Sequence, residues 1–201
     1  MAESARQGWA IWVVGLPGSG KSNLARAVAE EFGAQGKAVT WLQMDARRKA
    51  YFPKPTYSKE EREEAYRLFA EEAAELTRSG INVVMDGAAY KAAFREYARR
   101  LIPRFAEVHV QCTLENAMAR EGKRAAGLVM AGLYAKALER KRSGKQFPGL
   151  GEVIGVDVPF EENPAAEFAI CNDNIPKQET RRRTLEFLHR WLSEEAAPDG
   201  Q

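Results

Sequence analysis

A lysine and a serine at the end of a glycine-rich run are the first residues of this sequence that could do chemistry. Gly15-Leu-Pro-Gly18-Ser19-Gly20-Lys21-Ser22 follows the apolar run Trp9-Ala-Ile-Trp-Val-Val14 and leads into the helix-forming Asn23-Leu-Ala-Arg-Ala-Val-Ala-Glu30. Glycines in such a run let backbone N–H groups wrap around an oxyanion, and the helix that begins there adds its partial positive charge. Lys21 then reaches the outer phosphates of a nucleoside triphosphate, and the Ser22 hydroxyl can ligate Mg²⁺. Gly15, Gly18, Ser19, Gly20 and Asn23 complete the expected cradle. The bland alternative is a glycine-rich turn that happens to precede a helix, and the strand-loop-helix setting argues against it.

Phosphoryl transfer also needs a carboxylate to orient or deprotonate a hydroxyl, and arginines to neutralise developing charge. Asp45 and Asp86 each stand directly after an apolar run, where an open parallel sheet gathers its reactive groups. Asp45 is followed by Arg48, and Val83-Val-Met-Asp86 has the form of a strand whose aspartate holds Mg²⁺ through water. Either could instead be a helix cap or a turn residue. No Asn-Lys-x-Asp guanine-reading motif is present. A kinase acting on a small molecule is the class that fits.

The elements that must position these groups follow from periodicity. Apolar runs predict strands at about 9–14, 38–44, 81–86, 106–112 and 166–171, and helical patterns fill about 21–34, 58–79, 90–102, 114–121, 127–142 and 176–195. Strands separated by helices need crossover connections, so the chain is expected to be α/β, one domain over residues 1–201. The expected fold is that of a P-loop NTPase of nucleotide-kinase type, with a five-stranded parallel sheet flanked by helices. The acidic helix at 58–79 reads as a solvated face around an apolar stripe of Tyr66, Phe69, Ala70, Ala73, Ala74 and Leu76. From Glu115 to Lys145 eight basic residues meet three Glu among several glycines. That segment reads as a mobile basic lid, about 115–155, or as a solvated helical face. Only the ends, 1–8 and 196–201, look loose.

Of 201 residues 45% are hydrophobic and 29% charged, with a net charge of +2, which excludes general disorder and a polycation that coats nucleic acid polymers. The early apolar run is too short for a membrane span or a secretory segment, so no membrane partner and a cytoplasmic location are expected. Cys112 and Cys171 lack metal-ligand spacing and read as buried free thiols.

The motifs in sequence resemble the adenylylsulfate kinase family. Its members phosphorylate the 3′-hydroxyl of adenosine 5′-phosphosulfate (APS) with Mg·ATP. After the glycine-rich loop, Leu42-Gln-Met-Asp45-Ala-Arg-Arg48 is similar to the family's Leu-Asp-Gly-Asp-Asn-x-Arg. Tyr57-Ser-Lys-Glu-Glu61-Arg62-Glu-Glu-Ala65-Tyr-Arg67 is similar to its Phe-Ser-x-x-Asp-Arg-x-x-Asn-x-Arg. Phe105 to Val110, Leu114-Glu115, Arg120, Gly132 to Ala137, Phe147-Pro-Gly149 and Val156 to Pro164 match in order. The resemblance implies Asp45 as the catalytic carboxylate, working with Lys21 and Lys136. It implies Arg48, Arg62 and Arg67 on the phosphosulfate, Tyr57 and Phe147 around the substrate base, and Arg120 and Lys136 on the nucleotide lid. ATP and a small anionic nucleotide-like acceptor as partners, Mg²⁺ held near Ser22 and Asp86, and a homodimer are likewise what the family implies.

Three places depart from the pattern. The family's Asn is Ala65, its Ile-Ser-Pro-Tyr-Arg is Gly87-Ala88-Ala89-Tyr90-Lys91, and an expected arginine is Phe94. Extra residues also stand between Arg120 and Gly132, and from Leu150 to Gly155. Losing polar contacts while keeping stacking aromatics points toward a changed acceptor. Three readings therefore stand: APS kinase, a related kinase for another hydroxyl-bearing anion such as a CDP derivative, and a nucleotide-binding regulator without acceptor chemistry.

Overall fold

The computed structural model describes residues 7–123 and 132–194. Strands β1 (Ala10–Val14), β2 (Val39–Gln43), β3 (Asn82–Asp86), β4 (Phe105–Gln111) and β5 (Phe168–Cys171) form one parallel sheet in the order β2-β3-β1-β4-β5. Around it lie α1 (Lys21–Ala34), α2 (Met44–Tyr51), α3 (Lys59–Arg78), α4 (Ala92–Leu101), α5 (Leu114–Gly122), α6 (Leu133–Ser143) and α7 (Lys177–Glu194). Parallel pairing sends every strand's carboxyl end to the same edge. Register then aligns Val13 of β1 and Gln43 of β2 with Asp86 of β3.

All five residues of β1 are buried, as a strand covered on both faces requires. On one face Trp12 and Met85 pack with Tyr66, Phe69 and Ala73 of α3. On the other Val13 and Val108 pack with Val28 and Phe32 of α1 and Leu188 of α7. A smaller cluster joins Ala117, Leu133, Tyr134, Ala137, Leu150 and Val153. Ser58 caps α3, its Oγ accepting the Glu61 amide at 3.2 Å, a contact whose loss typically costs about 1 kcal/mol.

Several expectations are corrected. β2 stops at Gln43, and Met44 opens a helix the periodicity does not show. α2 buries only Met44 and Arg48, so no apolar stripe announces it. β5 begins at Phe168 and α4 at Ala92. Cys171 is exposed and Cys112 half-buried, both free: Cys171 ends the edge strand β5 and Cys112 follows the last residue of β4. Gly8 is buried and its amide bonds the Thr77 carbonyl at 2.8 Å. The start of the helix expected at 127–142, and nearly all of both loose ends, lie outside the described residues. From Leu150 to Val158 the chain is anchored: Leu150, Val153 and Ile154 are buried, although this stretch falls in the expected lid. No helix among the described residues is long and apolar enough to cross a membrane.

Candidate active site

The glycine-rich loop is held by its backbone. Gly15, Gly18 and Gly20 adopt φ of 142°, 89° and 98°, the region in which side chains are strained. A Cβ at Gly18 would stand 2.3 Å from the Ala117 carbonyl oxygen, and one at Gly15 2.5 Å from that of Val110. Asn172 Nδ2 donates to the Ser19 carbonyl at 2.6 Å, and the Tyr134 hydroxyl donates to the Pro17 carbonyl at 2.8 Å. Lys21 Nζ lies 3.4 Å from the Leu16 carbonyl, folded back over the loop. Ser19 Oγ is buried with no hydrogen-bond partner, an orphan that an anion in the cradle would satisfy.

Beside the loop, Ser22 Oγ donates to Asp86 Oδ1 at 3.1 Å. Two hard oxygen donors so placed suit Mg²⁺, which takes one or two protein oxygens and completes its shell with water and phosphate. Among the described residues no group of three His, Cys, Asp or Glu could hold a metal by itself.

Across the same cleft stand Asp45, Arg48, Tyr57 and Arg62. Asp45 is exposed in the first turn of α2. Arg48, one turn on, is buried, 3.2 Å from Glu61 and 5.3 Å over the Tyr57 ring. Glu61 also accepts from the Thr56 amide, from Thr56 Oγ1 at 2.7 Å and from the Tyr57 amide at 3.2 Å. Burial pushes the Glu61 carboxyl upward, but the Thr56 hydroxyl and amide, the Tyr57 amide and Arg48 outweigh it and hold the group below the usual range. Burial raises the Tyr57 phenol, partly offset by Arg48. Arg62 donates Nη2 to the Glu152 carbonyl at 2.7 Å and lies 5.5 Å over the Tyr90 ring, while its buried Nη1 has no partner.

With a phosphate cradle, a metal-suited oxygen pair and an arginine-lined acceptor wall in one cleft, comparison with known proteins becomes informative. The adenylylsulphate kinase model matches residues 7–171. The chain belongs to the adenylylsulphate kinase family. It is 34% identical over 163 residues to a probable adenylyl-sulfate kinase of Archaeoglobus fulgidus, covering 81% of this chain and 95% of that protein. It is 32% identical to an adenylyl-sulfate kinase of Paraburkholderia xenovorans, with 92% and 95% covered. Its fold is shared with an APS kinase of Mycobacterium tuberculosis (TM-score 0.74, 24% identity, 91% of this chain and 98% of that one). A gluconokinase of Sinorhizobium meliloti shares it too (0.60, 22%, 96% and 99%).

The family's residues divide by position. Lys21, Ser22, Asp45, Arg48, Tyr57, Arg62 and Asp86 meet at the cleft. Asn23 is exposed in the first turn of α1. Arg120 donates to the Asn172 carbonyl at 2.6 Å, behind the glycine-rich loop. Lys136 is exposed on α6, and Phe147 packs on the small third cluster beneath the Lys145 ammonium. Neither Lys136 nor Phe147 lines the cleft. Arg67 also stands apart: it is exposed on α3, bound to Glu64 at 2.6 Å and to Glu71 at 2.5 Å, and does not line the cleft. Ala65 is fully buried in the core, Phe94 stacks on Tyr66 at 4.6 Å, and Ala88 borders the cleft.

Glu61 has no role assigned from the sequence, although it stands at the acidic position of the family's Phe-Ser-x-x-Asp-Arg motif. Tyr66, whose hydroxyl accepts the Ala89 amide at 2.9 Å, was read only as core. The backbone wall at 152–154 had no signal in residue type.

Proposed function

We propose that this chain transfers the γ-phosphoryl group of ATP to the 3′-hydroxyl of APS, giving 3′-phosphoadenosine 5′-phosphosulfate and ADP. The observation that carries the reading is one cleft with Lys21 and the Ser22–Asp86 pair on one side and Asp45, Arg48 and Arg62 on the other. The loop backbone and Lys21 hold the outer phosphates and neutralise charge that develops as the bond to ADP breaks. Asp45 orients the acceptor hydroxyl and takes its proton as the oxygen bonds to the γ-phosphorus. Arg48 and Arg62 hold the acceptor's anionic group, and Tyr57 offers a face to its base. Ser22 and Asp86 would hold Mg²⁺, which would supply charge neutralisation on the phosphates. Arg120 and Lys136 complete the nucleotide side from α5 and α6. Dependence on ATP supports a cytoplasmic location, and family membership supports a homodimer, which light scattering checks.

The test is ADP release from Mg·ATP with APS, with CDP derivatives bearing a free hydroxyl, and with buffer alone. ADP formation that depends on APS is expected. The fully buried Ala65 and the stacked Phe94 carry the second reading, because neither can supply a polar contact to an acceptor. Faster turnover of a CDP derivative would move the assignment there. Mg·ATP binding without any acceptor-dependent turnover would leave a nucleotide-dependent regulator.

A further inference from the structure

Arg140 lies on α6, outside the cleft lining, yet its guanidinium bridges two points of the chain beside the acceptor. Nη1 donates to the Gly151 carbonyl at 2.9 Å and Nη2 to Asp157 Oδ2 at 2.6 Å. The same carboxylate oxygen accepts the Val153 amide at 2.7 Å. This ion pair joins the turn bonds from the Val156 and Asp157 amides to the Val153 carbonyl, at 3.0 and 2.8 Å, in holding residues 151–157 as an arc. The arc touches both acceptor-side groups: Glu152 offers its carbonyl to Arg62 Nη2 at 2.7 Å, and Gly151 lies against Tyr57. A Cβ at Gly151 would stand 2.7 Å from the Tyr57 carbonyl oxygen.

Leu150 and Val153 anchor the arc in the third cluster and Ile154 anchors it in the main core. Apolar packing is non-directional, so it fixes depth and leaves the direction of the Gly151 and Glu152 carbonyls to the hydrogen bonds. Arg62 depends on that direction, because the Glu152 carbonyl satisfies Nη2 while Nη1 has no partner. A planar guanidinium holds a carbonyl and a carboxylate in one fixed mutual geometry, which the freely rotating ammonium of a lysine does not impose.

We propose that Arg140 is a positioning residue for the acceptor: with Asp157 it fixes the 151–157 arc, which aims Arg62 and seats Tyr57 for an anionic, base-bearing acceptor. This rests on the proposed reaction, with APS as the probe. In Arg140→Ala the KM for APS should rise about tenfold, with the KM for ATP within about twofold, the pattern of losing acceptor binding alone. Hydrogen exchange at residues 150–158 should quicken without any substrate. Arg140→Lys should recover only part of the loss. Asp157→Asn, which keeps the side chain's shape, should shift the APS KM in the same direction and serves if Arg140→Ala does not fold. Unchanged kinetics, an equal rise in both KM values, or a lower APS KM would each overturn the proposal; the last would mean that the arc masks Arg62. A parent protein inert toward APS refutes the reaction itself, whereas an active parent with an unaltered Arg140→Ala variant refutes only the positioning role.

Discussion

The two sides of the cleft are built from different materials. The nucleotide side is mostly backbone: glycines at positive φ, packed on the carbonyls of Val110 and Ala117 and tied down by Asn172 and Tyr134. The acceptor side presents side chains, each held by a specific partner: Arg48 by Glu61, Arg62 by the Glu152 carbonyl, and the arc that carries this carbonyl by Arg140 and Asp157. A backbone cradle recognises phosphate and little else, so it can serve kinases of many acceptors. Choice of acceptor falls to the side-chain half, where one substitution changes a donor. It is also on that side that Ala65, Ala88 and Phe94 depart from the family.

Lys21→Ala attacks the nucleotide side at the lysine of the glycine-rich loop and should have the largest effect. Turnover should fall roughly a thousandfold, the scale of losing a transition-state electrostatic contact, with the circular dichroism spectrum unchanged. Turnover within about tenfold of the parent would remove Lys21 from the mechanism. Asp45→Asn comes next, on the opposite wall. A loss of about a hundredfold in kcat with the KM for ATP unchanged is expected of a group that takes a proton only in the transition state. If Asp86→Asn proves the more damaging, the two carboxylates exchange roles.

Glu61→Gln sharpens the contrast, because it tests a charge that holds another charge. It should raise the APS KM several-fold through Arg48 and lower the melting temperature at neutral pH by a few degrees, as loss of about 1 kcal/mol would. The sign of the pH dependence follows from the depressed carboxyl. Its stabilisation is fully present above the unfolded glutamate value of about 4.3 and is lost as pH falls through the lower folded-state value. The melting gap between parent and variant should therefore close on acidification, as calorimetry at pH values above and below that range can show. A gap independent of pH would mean that shape, and not the ionised carboxylate, holds Arg48.

The same division explains what could be read in the sequence. The glycine-rich loop, the central strands and Asp86 are local patterns, set by glycine spacing and apolar runs, and the folded chain keeps them. α2 is invisible to periodicity because its buried residues are one methionine and one arginine, so no apolar stripe marks its inner face. Glu61 was read as solvated because it sits among other glutamates, although its partners Thr56, Tyr57 and Arg48 all come from outside α3. The acceptor wall at 152–154 contributes a carbonyl, which every residue has, so residue type could not reveal it.

Arg67 gives the smallest expected effect and the sharpest test of that lesson. In the family pattern it follows Arg62 by five residues, which on a helix is a rotation of about 140°. The two therefore cannot face the same cleft unless α3 unwinds. Tyr66, four residues on from Arg62, shares its face and does border the cleft. Arg67 instead pairs with Glu64 and Glu71 on the exposed side, and exposed pairs contribute roughly 0–1 kcal/mol. Arg67→Ala should leave the APS KM within about twofold and the melting temperature within about two degrees of the parent. The measurement to set beside it is Arg62→Ala, which removes the cation that the wall holds and should raise the APS KM by tenfold or more, roughly the loss expected for a charge-assisted contact. Equal losses in the two variants would return Arg67 to the acceptor site and require α3 to rearrange when the acceptor binds.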